Sequence, residues 1–471
     1  MQPTSHAFQE NARRALHDEL LQRALGKAEA GFQAKRREAA GRLPEFEALR
    51  DAAKAIKDHT LAHLDAYLEA FEKRVTESGG RVHWARDAAE ARDVVLGLCR
   101  EAGARTATKA KSMIAEEIGL NPFLEANGVE PVETDLGEYI IQLAHEHPSH
   151  IVAPAIHMPK ERVSDLFHER HGTPRLEDGA ALVGEARGVL RRKYLEADVG
   201  ITGANFLIAE TGSVVTVTNE GNAELTHGLP RVHVVIASLE KVVPTVEDAC
   251  TLLRVLARSA TGQEFSVYTT FATGPRRPGD LDGPERLHVV LLDNGRTEML
   301  GGDLREMLRC IRCGACMNHC PVYLSTGGHA YGWVYPGPMG AVLTPQLIGI
   351  ERGHPLPNAS TFCGRCEEVC PVRIPLPKLM RHWREVQFDR KLNPPTARQG
   401  LRLWAFAAKH PALYHLGART AMRLLGLLGR RRGRFRSLPL AGGWTLSRDF
   451  PAPEGATFQA QWRAARGARG R

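Results

Sequence analysis

The sequence lacks a long uncharged apolar run and a recognisable export signal. No stretch of about eighteen uncharged apolar residues occurs, so we expect no membrane-spanning helix. The most apolar stretch, residues 403–429, is interrupted by Lys409, Pro411 and Arg419. The N-terminal residues are polar and lack the apolar segment of a secretory signal, which predicts a cytoplasmic protein. Because 43% of the residues are hydrophobic and 25% are charged, the chain is expected to fold rather than to be disordered.

Acidic residues are scarce in the C-terminal part of the chain. Residues 371–471 contain 21 Lys and Arg but only 4 Asp and Glu, whereas the rest of the chain is net negative. The basic run RRRGRFR, which begins at Arg430, follows the apolar stretch TAMRLLGLLG, and no nucleic-acid-binding motif accompanies it. We therefore expect no nucleic-acid partner. The pattern favours docking on a partner protein or on the inner face of the membrane.

Seven of the nine cysteines fall in two short bursts, and the other two, Cys99 and Cys250, are predicted to be buried small hydrophobic residues. A disulfide framework would scatter its cysteines, whereas clustered cysteines in a reducing cytosol indicate a metal site. The first burst has the spacing C-x2-C-x2-C-x3-C-P of bacterial iron–sulfur proteins. Zinc ribbons use paired C-x2-C knuckles instead, so we predict iron–sulfur ligands. The cysteines of this burst are Cys310, Cys313, Cys316 and Cys320.

The second burst is the same motif with Ser360 where its first cysteine would fall. In two-cluster proteins with this spacing, the fourth cysteine of each motif ligates the other cluster. The sequence therefore predicts two iron–sulfur clusters with crossed ligands. The predicted ligands of the first cluster are Cys310, Cys313, Cys316 and Cys370. The predicted ligands of the second cluster are Cys320, Cys363 and Cys366.

The second cluster is one thiolate short, which leaves three structures open. The first is a 3Fe-4S cluster. The second is a 4Fe-4S cluster completed by Ser360 or another oxygen or nitrogen ligand, and the third is a 4Fe-4S cluster with an open iron. Nothing near the bursts resembles an acid–base or nucleophile arrangement, so we predict no catalytic residues there. The simplest interpretation is a path for electrons.

The remaining sequence predicts an α/β domain between helical segments. Strand-like runs such as RVHWA, RTATK, SHIVAPAIH, SVVTVT and RVHVVIAS alternate with helical runs of ten or more residues, which is typical of a largely parallel sheet. The predicted regions are an N-terminal helical segment (1–79), an α/β domain (80–300), an α-helical ferredoxin domain (301–390) and a basic C-terminal region (391–471).

Two segments of the α/β domain have features of an anion site. The segment GITGANFLIAETGS, residues 200–213, has small residues between strand-like runs, as an anion site would, but it lacks the G-x-G-x-x-G signature. The simpler explanation of its glycines is that they form turns and allow tight packing. Lys109, Lys111 and Ser112 follow another strand-like run and are candidates for an anion site at a helix N-terminus. A solvent-exposed start of a helix is the simpler explanation of these residues. The histidines from His145 to His157 are predicted to be structural, because no cysteine lies near them in the sequence.

The motifs CIRCGACMNHCPVY and STFCGRCEEVCPVRIPLPKL, preceded by TKAKSMIAEEIGLN and GITGANFLIAETGSVVTVTNEGN, resemble the lactate utilisation protein B family. The resemblance covers nearly the whole chain. It implies a lactate-utilisation α/β fold related to CoA-transferases and sugar isomerases, followed by an α-helical two-cluster ferredoxin module with 4Fe-4S clusters and a helical basic tail.

The resemblance also implies a function. Such proteins are iron–sulfur electron-transfer subunits of a bacterial system that oxidises L-lactate to pyruvate. The implied partners are a protein with cysteine-rich repeats and a second protein with a lactate-utilisation domain. We expect the electrons to pass to an acceptor that is quinone-linked, lies at a membrane surface or is a soluble carrier. Two alternatives stay open: an enzyme that binds a 2-hydroxy acid at an open cluster iron, and a redox-sensing scaffold that carries clusters.

Overall fold

The computed structural model describes residues 2–438, 441–445 and 448–469. The chain divides into two compact units, Met1–Gln387 (unit 1) and Phe388–Arg471 (unit 2). The strands of unit 1 are β1 (Arg81–Ala85), β2 (Thr106–Lys109), β3 (Glu130–Glu133), β4 (Val199–Gly203), β5 (Phe206–Ile208), β6 (Ser213–Thr218), β7 (Val232–Ser238), β8 (Val242–Val243), β9 (Tyr268–Ala272) and β10 (Arg286–Leu292). The strands of unit 2 are β11 (Arg434–Phe435) and β12 (Phe450–Pro451).

Helices precede the sheet, alternate with its strands and carry the cysteine bursts. The helices that begin before β4 are α1 (Phe8–Leu16), α2 (Glu19–Gly41), α3 (Phe46–Ala62), α4 (Leu64–Glu77), α5 (Ala88–Glu101), α6 (Met113–Glu117), α7 (Leu120–Ala126), α8 (Leu136–Leu143), α9 (Lys160–His171) and α10 (Gly179–Glu196). Those that follow are α11 (Asn222–Gly228), α12 (Val246–Ala260), α13 (Arg296–Leu300), α14 (Ala315–Asn318), α15 (Pro321–Thr326), α16 (Gly337–Ile348), α17 (Ile350–Gly353), α18 (Arg365–Glu368), α19 (Leu376–Asp389), α20 (Pro395–Lys409), α21 (Pro411–Gly429), α22 (Gly442–Thr445) and α23 (Phe458–Arg469).

The main sheet has six parallel strands in the order β1-β10-β7-β4-β2-β3. After β2, the next strand, β3, is added beside β2 at one edge of the sheet. After β4, the strands β7 and then β10 are added in the opposite direction, toward β1. The direction of winding therefore reverses between the neighbouring strands β2 and β4. The predicted α/β fold with a parallel sheet is confirmed.

Both faces of this sheet are covered, which explains the continuous apolar runs of its strands. Successive strand residues point to opposite faces. Val234 and Ile236 of β7 thus belong to a core formed with α5 and α7, whereas Val235 and Ala237 belong to a second core formed with α4. The last of the N-terminal helices, α4, accordingly covers one face of the sheet.

Two strand predictions differ from the structure. SHIVAPAIH, residues 149–157, forms turns instead of a strand. Pro154 has no N–H to donate to a sheet, and its carbonyl accepts the backbone N–H of Ser149 at 3.0 Å, so the segment closes on itself. SVVTVT is a strand, β6, but it lies in a second sheet of order β8-β5-β6-β9, where its neighbours β5 and β9 are antiparallel to it.

The two isolated cysteines have different environments. Cys99 is fully buried in α5, as predicted. Cys250 is exposed in α12, so its predicted burial was wrong. The buried stripe of α12 includes Ala249, Leu252 and Leu256. Cys250 follows Ala249 directly in the sequence, and the turn of the helix places it on the solvent side.

Unit 2 is dominated by the contacting helices α20 and α21, each of which begins with a proline. Proline suits this position because the first N–H groups of a helix have no intrahelical acceptor. Among the residues of α20 and α21, Gly429 alone is buried. Leu403, Trp404 and Leu428 are 71%, 65% and 75% exposed, which leaves an apolar surface among basic residues. Within the described ranges of the chain, no helix combines the length and the apolar character that crossing a bilayer requires.

Candidate iron–sulfur site

The two cysteine bursts fold into the same local backbone. Arg312 and Phe362, which precede the second cysteine position of each motif, have positive φ angles of 59° and 55°. Gly314 and Gly364, two residues later, also have positive φ angles, 75° and 80°, and each precedes a one-turn helix, α14 or α18. Glycine adopts this conformation without steric cost. The repeated backbone places Ser360 where the first burst has its first cysteine.

The seven predicted ligands gather in two places. One cavity is lined by Cys310, Cys313, Cys316 and Cys370, and a second by Cys320, Cys363 and Cys366. Each group takes cysteines from both bursts. Ser360 lines the second cavity. This is the grouping that crossed ligation requires, while iron binding by these particular sulfurs stays a prediction.

The chemistry of these cysteines fits a metal cluster better than free thiols. Burial raises the pKa of Cys313 and Cys366 to about 12 and that of Cys370 to about 11. The backbone N–H of Ile374 donates to Sγ of Cys370 at 3.4 Å. In the described chain these cysteines are free of disulfides. Buried thiolates are costly alone, but iron stabilises them, and N–H donors to sulfur are a usual feature of iron–sulfur sites.

Cations surround the first group of cysteines. Lys57, Lys241 and Arg312 interact electrostatically with Cys310, Arg36 with Cys313, and Arg50 with Cys370. In the part of the chain that the structure describes, no cation is among the main electrostatic neighbours of Cys320 and Cys366. The first group of cysteines therefore lies among positive charges.

The N-terminal helices supply three of these cations. Arg50 of α3 donates through Nε and Nη2 to the carbonyl of Cys370 at 3.2 and 2.8 Å. Arg36 of α2 donates to the carbonyl of Val369 at 3.0 Å. Lys57 of α3 is 1% exposed. Helices far away in the sequence thus hold the second burst and place positive charge beside the first cavity.

The sequence analysis did not predict that these basic residues lie beside the cysteines, although the helical pattern of α3 contained a signal for two of them. The buried face of α3 includes Phe46, Arg50, Ala53, Lys57 and Leu61, spaced as an apolar helix stripe is. A charged residue on such a stripe must be paired or must face a charge of opposite sign. The position of Arg50 and Lys57 in the helical pattern could therefore have revealed them.

The loop at residues 149–157 separates the α/β domain from the first cysteine group. His150 Nδ1 accepts the backbone N–H groups of Val152 and Ala153 at 3.0 Å, and its Nε2 contacts Asn318 Oδ1 at 2.9 Å. Burial lowers the pKa of His150 to about 4, so the ring is neutral. Both nitrogens are used, which makes His150 a structural residue.

His157 is held in a similar way. Its Nε2 contacts Glu146 Oε2 and its Nδ1 contacts Ser149 Oγ, both at 2.7 Å. Glu146, His157 and His329 lie close enough to hold a metal ion. The two ring nitrogens of His157 already have protein partners, however, so a structural role explains this group.

A cavity of about 250 Å³ lies at the carboxyl edge of the main sheet and reaches the first burst. It brings together the two segments with anion-site features, because Lys111 and Ser112 after β2 and Gly203 at the end of β4 all line it. Lys109 does not contribute, since it is fully buried and its Nζ lies 2.6 Å from Glu133 Oε1. Arg312 and Cys313 form the opposite wall.

Comparison with known protein families agrees with this architecture. The LUD domain family matches residues 68–292, and a 4Fe-4S dicluster domain family matches residues 306–374. A family described as lactate utilisation protein B, C-terminal, matches residues 373–467. The fold and the cysteine site therefore define an iron–sulfur electron-transfer protein, in which an α/β domain is joined to a dicluster domain.

Curated relatives match nearly the whole chain. Lactate utilization protein B of Bacillus licheniformis is 42% identical over 460 residues, which cover 96% of this chain and 95% of the relative. Lactate utilization protein B of Geobacillus thermodenitrificans is 45% identical, with 88% of each chain covered. Electron transport protein YkgF of Escherichia coli is 40% identical, with 96% and 95% covered. A crystal structure of a DUF162 family protein from Deinococcus radiodurans matches 49% of this chain and 98% of its own, at 17% identity and a TM-score of 0.28. The chain belongs to the lactate utilisation protein B family, and its role is iron–sulfur electron transfer in lactate utilisation.

Proposed function

We propose that this protein is the non-catalytic electron-transfer subunit of a complex that oxidises L-lactate to pyruvate. The observation that carries the proposal is the grouping of seven cysteines, five of them buried, into two sites, each built from both bursts. Iron–sulfur clusters, when bound, accept and pass single electrons. The chain itself supplies thiolate ligands, backbone donors and buried cations.

The proposed ligands are those of the crossed arrangement. The first cluster takes Cys310, Cys313, Cys316 and Cys370, and the second takes Cys320, Cys363 and Cys366. The partners are the other lactate-utilisation subunits, one with cysteine-rich repeats and one with a second lactate-utilisation domain. Family membership supports these partners, because an electron carrier needs a partner that removes electrons from lactate.

Metal analysis and electron paramagnetic resonance (EPR) of the anaerobically purified protein test the proposal. We expect about eight irons per chain from two 4Fe-4S clusters, and two interacting signals after reduction with dithionite. Cys313→Ser should remove the first signal and Cys366→Ser the second, and either change should stop growth on L-lactate in a strain without its own copy. Cys250→Ser is the matched control, because this cysteine is exposed and distant in sequence from the bursts. Normal lactate growth of both cluster variants would refute the proposal.

The fourth ligand of the second cluster separates electron carriage from substrate binding at an open iron. Ser360 Oγ accepts the backbone N–H of Phe362 at 3.1 Å, which orients the hydroxyl at the cavity wall. A changed EPR signal of the second cluster in Ser360→Ala supports oxygen ligation. A signal of the second cluster that L-lactate alone changes supports the alternative enzyme with an open iron.

We further propose that unit 2 binds an anionic membrane surface at the cytoplasmic face, where a quinone-linked acceptor would lie. Its exposed apolar side chains, such as Leu403, Trp404 and Leu428, lie among basic residues, and this combination is typical of helices that lie on membranes. The protein should sediment with vesicles that contain phosphatidylglycerol but not with neutral phosphatidylcholine vesicles. Trp404→Ser should weaken sedimentation several-fold. Equal sedimentation with both vesicles, or none with either, would refute membrane binding.

A further inference from the structure

The cavity of unit 1 at the carboxyl edge of the main sheet lies where the sheet topology favours a ligand. Its walls include Lys111 and Ser112 after β2 and Gly203 at the end of β4. These neighbouring strands are the pair between which the winding of the chain reverses. In open α/β sheets, ligands bind at this kind of switch point, outside the carboxyl ends of the strands. The position alone does not identify the ligand.

The charges in the cavity indicate one anionic group. Lys111 Nζ donates to the carbonyl of Val152 at 2.7 Å and lies 3.3 Å from Asp135 Oδ2, so its charge is paired. Arg312 is paired with Glu240 at 3.3 Å. Lys241 differs from both, because it is 7% exposed and, within the described chain, its Nζ makes no hydrogen bond or ion pair, although it interacts electrostatically with Glu240 and Cys310. Its ammonium group therefore has N–H donors available to an anion in the cavity, and a buried polar group is stabilised when such donors find acceptors.

The other polar groups favour a small hydroxylated or keto anion over a phosphate ester. Asp135 and Glu220 also line the cavity, and their carboxylates would repel a multiply charged ligand. The amide of Asn205 and the hydroxyl of Thr216 offer hydrogen bonds to a neutral oxygen. One cation with free N–H donors, nearby carboxylates and neutral polar groups match a monocarboxylate with an oxygen on its neighbouring carbon.

This cavity adjoins the first cysteine group. Cys313 and Ile151 line both the cavity and the site formed with Cys370, so a bound molecule would lie beside one cysteine of the first group. Ile151 belongs to the loop that His150 holds in place. A ligand here would change the surroundings of the first cluster and leave the second one unchanged.

We propose that this cavity binds a small monocarboxylate of the 2-hydroxy or 2-oxo acid class, with its carboxylate on Lys241 and its second oxygen toward Asn205 and Thr216. The inference rests on the proposed function in lactate oxidation and assigns carboxylate binding to the α/β domain of this subunit. The cavity is distinct from the open-iron site, because Ser360 and the cysteines of the second group do not line it.

Anaerobic calorimetry on the full chain with its clusters tests this proposal. The probes are L-lactate, pyruvate, acetate and inorganic phosphate. We expect L-lactate or pyruvate to bind more tightly than acetate and phosphate. Lys241→Met should weaken this binding at least tenfold and Lys241→Arg should largely retain it. Lys73→Met is the matched control, because Lys73 has 73% of its side chain exposed and lies outside the cavity.

A second variant keeps the test decisive if Lys241→Met fails to fold. Ala204→Leu fills the cavity without removing a charge and should abolish binding while the visible absorption of the clusters is unchanged. No heat with any probe, tighter binding of phosphate, or unchanged binding in both cavity variants would overturn the proposal. Reduction of the clusters by dithionite is measured without a carboxylate. If no carboxylate binds but the clusters are reduced normally, the cavity proposal fails and the proposed electron-transfer function stands. If the protein holds no clusters, the proposed electron-transfer function fails.

Discussion

Replacing the buried Lys57 should lower the reduction potential of the first cluster and leave the second unchanged. Lys57 is 1% exposed and interacts electrostatically with Cys310. Burial lowers its pKa to about 8, so the ammonium group is still mostly charged at neutral pH. A reduced cluster carries one more negative charge than an oxidised one. A nearby fixed cation therefore stabilises the reduced form, and Lys57→Met removes that stabilisation.

The size of the effect follows from Coulomb's law. At an assumed separation of about 8 Å, two unit charges interact by about 2 kcal/mol at an effective dielectric constant of ~20. For a one-electron couple this corresponds to a fall of about 85 mV in the potential of the first cluster. The change should be several times smaller for the second cluster, because Lys57 is not among the main electrostatic neighbours of Cys320 and Cys366.

A redox titration followed by EPR measures both potentials in one sample. Lys54→Met is the matched control, since Lys54 lies one turn earlier in α3 with 42% of its side chain exposed and pairs with Asp58. Solvent screens such a charge, so its removal should shift either potential by little. Equal shifts of both clusters, no shift in Lys57→Met, or an equal shift in Lys54→Met would refute the electrostatic reasoning.

Three further predictions concern stability and reactivity. Glu117→Gln leaves the buried Arg296 without its main partner, which lies 2.8 Å away in the unmodified protein. This change should lower the free energy of unfolding by about 3–5 kcal/mol, read from an earlier urea midpoint. Glu90→Gln, in the exposed pair with Arg86, should leave the urea midpoint nearly unchanged. Asn318→Leu removes the side-chain acceptor of His150 and should raise proteolytic cleavage within residues 149–157, and equal cleavage of both proteins would contradict the role of that contact. Maleimide should label Cys250 rapidly in the folded protein and leave Cys99 unlabelled until denaturation, as mass spectrometry of the labelled peptides would show.

The sequence predicted those features whose signal is local. The cysteine spacing and the two C-P steps specify a short backbone motif, which explains why both bursts were recognised and why the same positive φ angles recur at Gly314 and Gly364. The parallel sheet was predictable because β7 is buried on both faces and its sequence is continuously apolar. Both signals are contained within a few neighbouring residues.

The features that were missed depend on contacts that the residue pattern does not reveal, some of them between distant residues. Glu130–Glu133 is an edge strand with two charged residues and a proline, and it is a strand because β2 lies beside it. The loop 149–157 looks β-rich, but Pro154 and the hydrogen bonds of His150 fold it into turns. The carbonyl of Cys370 is bound by Arg50, which is 320 residues away in sequence, and no local pattern contains that pairing.

The crossed bursts also have a consequence for how the protein is made. If Cys370 completes the first group, the ribosome has synthesised more than three quarters of the chain before that group is whole. Until the second burst has been synthesised, the cysteines of residues 310–320 are without their fourth ligand. Arg50 of α3, which is synthesised much earlier, also lacks its acceptor, the carbonyl of Cys370, until then. With these crossed ligands, insertion of the first cluster would be a late step of maturation. The helices at the beginning of the chain can close over the cysteines only after the end of the dicluster domain has arrived.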